Sequence, residues 1–489
     1  MSDNSLKDKT ISALIWNATQ RYGILLITFV SNIVLARLLT PEDYGVIGVL
    51  MVFITVSGTI VDSGFSAALI QKKTVTQTDW STVFFWNIGI SLIVYGILFL
   101  ISGIIADYFS KPVLKPVLHL LGCVIVINSF SSIQNAKLSK ELKFKTLAIR
   151  SIVGTSFGAI IGIILALKGF GFWSLVWQTI SATIISVILL WTITNWRPSC
   201  LFSWISLKKM FRFGGYIFLS GIFEVVYSNF QSFVIGKFFS LRDLGFYSQA
   251  KKIERVPIEG TSSVLGQVLF PVYSFISHDY DRMKKMVRNN FNAITFITFP
   301  LMTFLIVLAN PLFYIVLGEK WMSSVPMFQI LCIFGMMTPL NKANSQIFRS
   351  LGDGRMYFTL QFTKQLIALV IMLCFISFGI FPFLWACAAV GFTSYGVNLY
   401  YTHKRFGYTY KEQLGDILPN FIVSAVTCLT GYFIINQLAS LNHIIKLIIG
   451  IFVYVTIFGF LTYIFKLKGY KIVMNVISYG KPRTKSKSN

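Results

Sequence analysis

The chain has 489 residues, 55% of them hydrophobic and 12% charged, with a mean hydropathy of +0.70. A soluble domain carries about a quarter charged residues, so a soluble enzyme, a disordered chain and a secreted disulfide scaffold are excluded, and a polytopic, all-α membrane protein is expected. The net charge of +25 is broken into short clusters between apolar runs, which is how membrane topology is written and not how a nucleic-acid-binding face is built.

A bilayer-crossing helix needs about 20 apolar residues. In chain order, such runs lie at 14–36, 44–70, 80–105, 113–136, 147–167, 172–194, 211–235, 245–272, 287–317, 327–348, 356–378, 383–401, 417–436 and 444–465, fourteen in all. Lys7 and Lys9 precede the first run, Arg21 interrupts it and no small-residue cleavage site follows; it reads as a retained helix and not a signal peptide. The eighth run is polar in its first half.

With the N-terminus placed in the cytoplasm, one side of the membrane collects thirty of the 43 lysines and arginines. They are Lys7 and Lys9, the Lys72–Lys73 pair, Lys137 to Arg150, Arg197 to Arg212, Arg282 to Arg288, Lys342 to Arg355, Lys404 to Lys411 and the tail from Lys466. The other side holds eight: Arg37, Lys111, Lys115, Lys168, Lys237, Arg242, Lys320 and Lys446. That bias supports fourteen spans with both termini cytoplasmic, since one missed helix would scramble the alternation. The segment 467–489 is expected as a basic cytoplasmic tail, solvated or bound to lipid headgroups from Lys481 onward and not a domain.

No loop is long enough to hide a soluble catalytic domain, and there is no G-x-x-x-x-G-K-[ST] phosphate loop. Asp279-Tyr280-Asp281 resembles a metal-binding D-x-D, but its place ahead of a helix favours helix-start acids. The six cysteines form no C-x-x-C pair and read as small buried hydrophobes. The four histidines are too scattered for a metal site. Neither an enzyme nor a cofactor is expected.

A shift of 200 residues places Val34, Asp43 and Gly45 on Val234, Asp243 and Gly245, Arg37 on Lys237 and Thr40 on Ser240; a shift of 212 places Gln134, Lys137 and Lys143 on Gln346, Arg349 and Arg355. These echoes imply two six-helix lobes, 1–200 and 201–410, with two additional helices over 411–466. Six is even, so the repeat is parallel, an architecture that places a transporter's substrate site between its halves. In the first helix Asn17, Arg21, Thr28 and Ser31 share a face, and in the seventh Ser220, Glu224, Ser228 and Gln231 do the same. Thr28 and Ser31 map onto Ser228 and Gln231 at the 200 shift. These faces line a cavity or make interhelical hydrogen bonds in a packed bundle.

Charges inside spans weigh differently, because an arginine or lysine at helix centre costs about 2.5–3.5 kcal/mol and marks a site by default. Arg21, the Lys251, Arg255 and Glu259 face of the eighth helix beside Pro257, and Lys364 in the eleventh span are the candidates, with snorkelling the alternative for Lys364 and Lys251. Cations in a cleft suit an anionic substrate, and guanidinium suits phosphate. Asp62 and Glu224 pair with these cations or bind a coupling ion.

The stretches ARLLTPEDYG (Ala36–Gly45), DSGFSAALIQ (Asp62–Gln71), LGFYSQAKKI (Leu244–Ile253) and GEKWMSSVPMFQIL (Gly318–Leu331) carry a resemblance. The chain resembles the Wzx-like polysaccharide and lipopolysaccharide exporters of the multidrug/oligosaccharidyl-lipid/polysaccharide flippase superfamily, over nearly its whole length. The resemblance implies a fourteen-helix, two-lobed fold in a bacterial plasma membrane that moves an undecaprenyl-diphosphate-linked glycan between leaflets. It implies a diphosphate site at Arg21 and the Lys251–Arg255 cluster, drive from the membrane potential or an ion gradient, action as a monomer, and polysaccharide polymerase and other assembly proteins as partners. The competing readings are a multidrug cation antiporter of the same superfamily, which should have an acidic cavity, and a lipid-linked peptidoglycan precursor flippase or teichuronic-type exporter, which differ only in glycan.

Overall fold

A computed structural model describes residues 3–276, 278–351, 354–438 and 440–479; the tail cations from Lys481 onward lie outside the described residues. All regular structure among the described residues is helical. The order begins α1 (Asp3–Leu38), α2 (Pro41–Asp62), α3 (Phe65–Gln71), α4 (Gln77–Tyr108), α5 (Leu114–Lys140), α6 (Phe144–Leu167), α7 (Trp173–Ile193), α8 (Trp204–Phe238) and α9 (Leu241–Phe275). It continues through α10 (Tyr280–Val307), α11 (Ala309–Val316), α12 (Ser324–Ser350), α13 (Gly354–Phe375), α14 (Ile380–Phe406), α15 (Tyr410–Gln437), α16 (His443–Ile464) and α17 (Lys468–Tyr479). The chain forms two compact units, Met1–Ser248 and Gln249–Asn489, with the boundary inside α9.

Among the described residues, twelve helices are long and apolar enough to cross a bilayer, and they match twelve of the fourteen expected spans. The other two expected spans are α8 and α9, each 35 residues long, or about 52 Å at 1.5 Å per residue. Length suffices in both, and in α9 the run of Lys251, Lys252, Glu254, Arg255 and Glu259 removes the apolar signal. Two expected spans are not single helices. The run 44–70 breaks where Ser63 and Gly64 both take left-handed backbone angles (φ 47° and 71°), separating α2 from α3. The run 287–317 breaks at Leu308, between α10 and α11. Hydropathy sees through such breaks because the side chains stay apolar. The expected tail 467–489 opens with a helix, α17.

Helix starts follow their capping residues. Thr40 with Asp43, Thr76 with Asp79 and Thr409 with Glu412 form capping boxes that begin α2, α4 and α15. Asp279 caps α10 by accepting from the Arg282 amide at 3.0 Å, the helix-start role expected for the D-x-D.

In the first unit, α6 and α7 pack through a stripe of Gly154, Gly158 and Gly162. A Cβ on Gly158 would lie 2.6 Å from both Ala182 Cβ and Gln178 O, so only small residues permit this backbone approach. The repeat has a structural counterpart here. The turn at Thr40–Asp43 and the turn at Ser240–Asp243 carry the same hydroxyl–carboxylate cap, and they meet reciprocally. A Cβ on Gly45 would sit 1.9 Å from Leu241 O, and one on Gly245 would sit 1.8 Å from Pro41 O. In the second unit α10 packs on α15 and α16. Tyr454 donates to Pro300 O at 2.8 Å, and Asn420 donates to Thr295 Oγ1 at 2.8 Å.

Candidate functional site

The densest charge inside membrane-depth helices lies on α9 of the second unit. Ser240 and Asp243 start the helix, and the four-residue spacing of Lys251, Arg255 and Glu259 puts them on one face. Arg255 Nε donates to Glu259 Oε1, so this pair does not use the guanidinium's terminal nitrogens, and the arginine side chain is 69% exposed. An ion pair so exposed contributes little stability. It orients the guanidinium and leaves its fork open for a ligand.

Behind it, Glu254 is buried and packs onto α12, where a Cβ on Gly335 would lie 2.5 Å from Glu254 Oε1. Lys251, Arg255 and Lys342 are its charge neighbours. Lys342 belongs to α12; topology counting assigns it to a loop because it sits near the end of an apolar run. The group Lys251, Lys252, Arg255 and Lys342 against Glu254 and Glu259 is positive on balance.

Lys364 of α13 is 8% exposed, so its ammonium does not snorkel to an exposed surface. It donates to Ser345 Oγ at 3.4 Å, and Gln361 donates to the same oxygen at 3.2 Å. No carboxylate lies within ion-pair distance of Lys364 among the described residues. A buried ammonium held only by a hydroxyl is costly unless an anion visits it. Beside it runs a seam between α12 and α14: Asn398 Nδ2 donates to Asn341 Oδ1 at 2.6 Å, Asn341 to Gly391 O at 3.1 Å and Thr402 to Asn344 Oδ1 at 2.9 Å. Asn344 Nδ2 and Asn398 Oδ1 are buried without a partner among the described residues. Sequence reasoning passes over this seam, although Asn341, Asn344 and Ser345 on one helix and Asn398 and Thr402 on another recur at helical spacing.

In the first unit, the expected polar face of α1 is present but uneven. Arg21 and Thr28 are exposed, Asn17 is half-buried and Ser31 is buried. Thr28 donates to Ile24 O at 2.7 Å and Ser31 to Thr28 O at 3.1 Å, both within their own helix. On α8, Glu224 and Ser228 are exposed, Ser228 donates to Val225 O, and Gln231 is buried, accepting from the Tyr247 hydroxyl at 2.6 Å. Asp62 accepts from Ser66 across the α2–α3 break. The structure adds Arg150 of α6, half-buried, with its Nε unpartnered among the described residues. It stands next to Ser151, which receives the Gln20 amide of α1 at 3.1 Å. Counting Arg150 as a topology charge hides it. No group of three or more histidine, cysteine or acidic side chains suited to a metal occurs among the described residues.

Residues 34–326 match the family model described as polysaccharide biosynthesis protein. Among curated relatives, the lipopolysaccharide biosynthesis protein WzxC of Escherichia coli (strain K12) is 26% identical over 339 residues, 68% of each chain. The teichuronic acid biosynthesis protein TuaB of Bacillus subtilis (strain 168) is 24% identical over 361 residues, 72% of this chain and 74% of that one. Among solved structures, the inward closed lipid II flippase MurJ aligns with a TM-score of 0.74 at 15% identity, covering 92% of this chain and 99% of its own. An inward-facing multidrug resistance transporter of the MATE family aligns at 0.64 and 14%, covering 81% and 98%. At these identities the structures establish the fold alone, a multi-pass all-helical architecture that this chain shares with both. The chain belongs to the polysaccharide biosynthesis protein family.

Proposed function

We propose that this protein is a flippase that moves an undecaprenyl-diphosphate-linked oligosaccharide, a lipopolysaccharide O-unit or an exopolysaccharide repeat, across the bacterial plasma membrane. The observation that carries this reading is the cationic group on α9 and α12, together with the buried Lys364 of α13 held against Ser345 of α12, in a chain of this family. A diphosphate is the constant part of such a substrate, and guanidinium binds phosphate oxygens through paired hydrogen bonds. The glycan varies and suits the neutral amides and hydroxyls of the α12–α14 seam. A drug-cation antiporter needs the opposite charge in its cavity.

Both termini face the cytoplasm in this reading, which follows the thirty-to-eight lysine and arginine bias. Transport proceeds by alternating access, with residues 1–200 rocking against 201–410, and 411–466 peripheral. Arg21 and Arg255 hold the diphosphate, while Asp62, Glu224 and Glu259 balance charge or couple an ion. The energy source is the membrane potential or an ion gradient, with no cofactor and no chemistry on the substrate. The protein works as a monomer alongside a polysaccharide polymerase and other assembly proteins. The test is complementation of a flippase-deficient strain that makes the cognate glycan, with membrane levels of each variant checked. Normal surface polysaccharide from both Arg21→Ala and Arg255→Ala would refute the cationic site.

A further inference from the structure

A second basic site lies far along the chain from the residues assigned above, where α10, α15 and α17 line an open cleft of about 580 Å³. Its carboxylates are largely committed. Glu412 takes Lys284 Nζ at 2.9 Å and an Arg288 terminal nitrogen at 3.2 Å. Asp416 takes Arg288 Nε at 2.7 Å and the Tyr408 hydroxyl at 2.8 Å. Burial and the adjacent Asp416 carboxylate push the Tyr408 hydroxyl up, so it remains a donor. This network also ties the start of α15 to α10.

The charges that remain in the lining are Lys285, Lys468 and Lys471 against Asp281, an anion-attracting remainder. Lys468 and Lys471 share a face of α17 at three-residue spacing. That helix is docked closely. A Cβ on Gly469 would lie 2.5 Å from Phe296 Cβ and 2.8 Å from Asn292 O, and the Tyr470 ring meets Phe296 edge-on. The chain entering α17 carries Tyr463, Ile464 and Phe465, which are 83%, 51% and 61% exposed. An exposed aromatic and aliphatic run that ends in lysines places acyl chains and headgroup phosphate side by side.

We infer that this cleft binds the phosphate of an anionic phospholipid, with Lys285, Lys468 and Lys471 as its cations and the Tyr463–Phe465 run against its acyl chains. The assignment of the leaflet rests on the proposed orientation; the binding itself does not. The soluble alternative is free inorganic phosphate, which shares the chemistry but not the apolar contact.

The experiment uses the purified full chain in a neutral detergent, titrated with dioleoyl phosphatidylglycerol, with dioleoyl phosphatidylcholine and with inorganic phosphate, reading bound lipid by native mass spectrometry and thermal stability in parallel. The expected result is retention and stabilisation by phosphatidylglycerol alone. Lys468→Gln with Lys471→Gln should weaken it about 25-fold, at about fivefold per lysine, while the paired arginine variant keeps it and Lys411→Gln leaves it unchanged. If the double variant does not purify, Lys285→Gln on α10 should show about a fivefold loss. Equal retention of phosphatidylcholine, equal stabilisation by inorganic phosphate, or glutamine variants that bind like the parent would each overturn the assignment. Because no glycan transport is read, failure here is separate from failure of the flippase reading.

Discussion

The polar face of α1 and the polar seam of α12–α14 look alike on a helical wheel, yet their hydrogen bonds go to different places. On α1, Thr28 and Ser31 return their hydroxyls to carbonyls of their own helix. On the seam, Asn398 reaches Asn341 and Thr402 reaches Asn344 on a neighbouring helix. The difference is chemical. A serine or threonine hydroxyl sits within reach of the carbonyl three or four residues earlier and needs nothing outside the helix. A carboxamide can return one N–H to the carbonyl four residues earlier, as Asn292 does to Arg288 O, but its second donor and its acceptor are left for a partner across an interface or a ligand. Helical periodicity locates a polar face, whereas the type of polar group decides whether that face is structural or open.

That contrast can be broken most forcefully at the charges. Arg255→Ala should reduce surface polysaccharide more than tenfold in the complementation assay, Arg255→Lys should impair it less, and Lys485→Ala in the tail should leave it unchanged, because an ammonium carries charge without the planar fork. Next comes the close approach that joins the two repeat-related turns. Gly45→Ala forces a methyl into Leu241 O and should cost about 1–3 kcal/mol, read as a lowered melting temperature of the purified protein, with Gly245→Ala behaving alike. On the seam, Asn398→Leu strands Asn341 and should cost about 0.6–2 kcal/mol, the range measured for interhelical hydrogen bonds in membranes. Thr28→Val, by contrast, removes only an intrahelical bond and should stay within about 0.5 kcal/mol. If Thr28→Val cost as much as Asn398→Leu, the distinction between self-satisfied and cross-helix polar groups would fail.

Much of the architecture is legible from sequence because lipid demands apolar runs of fixed length. The internal repeat is legible too: Gly45 and Gly245 recur at a shift of 200 because the same backbone approach is needed twice. Three things escape. The α2–α3 break escapes because Ser63 and Gly64 change direction without changing hydropathy. The roles of Lys342 and Arg150 escape because a cation near a span end counts as topology until packing shows what surrounds it. The docking of α17 escapes because a short amphipathic helix after the last span resembles a solvated tail until Gly469 and Tyr470 are seen against Phe296. For the candidate site, the sequence singles out the α9 cations and Lys364 by their expense in lipid, but the amide seam emerges only when α12 and α14 are placed together.

The measurement that bears most directly on the central claim is flipping in proteoliposomes. The purified chain, reconstituted with an undecaprenyl-diphosphate-linked glycan, should expose that glycan to an impermeant sugar-modifying reagent under a membrane potential or an ion gradient, and the double variant Arg21→Ala, Arg255→Ala should not. Glycan exposure by the double variant at the rate of the parent chain, with both proteins inserted equally, would contradict a diphosphate site built from those arginines.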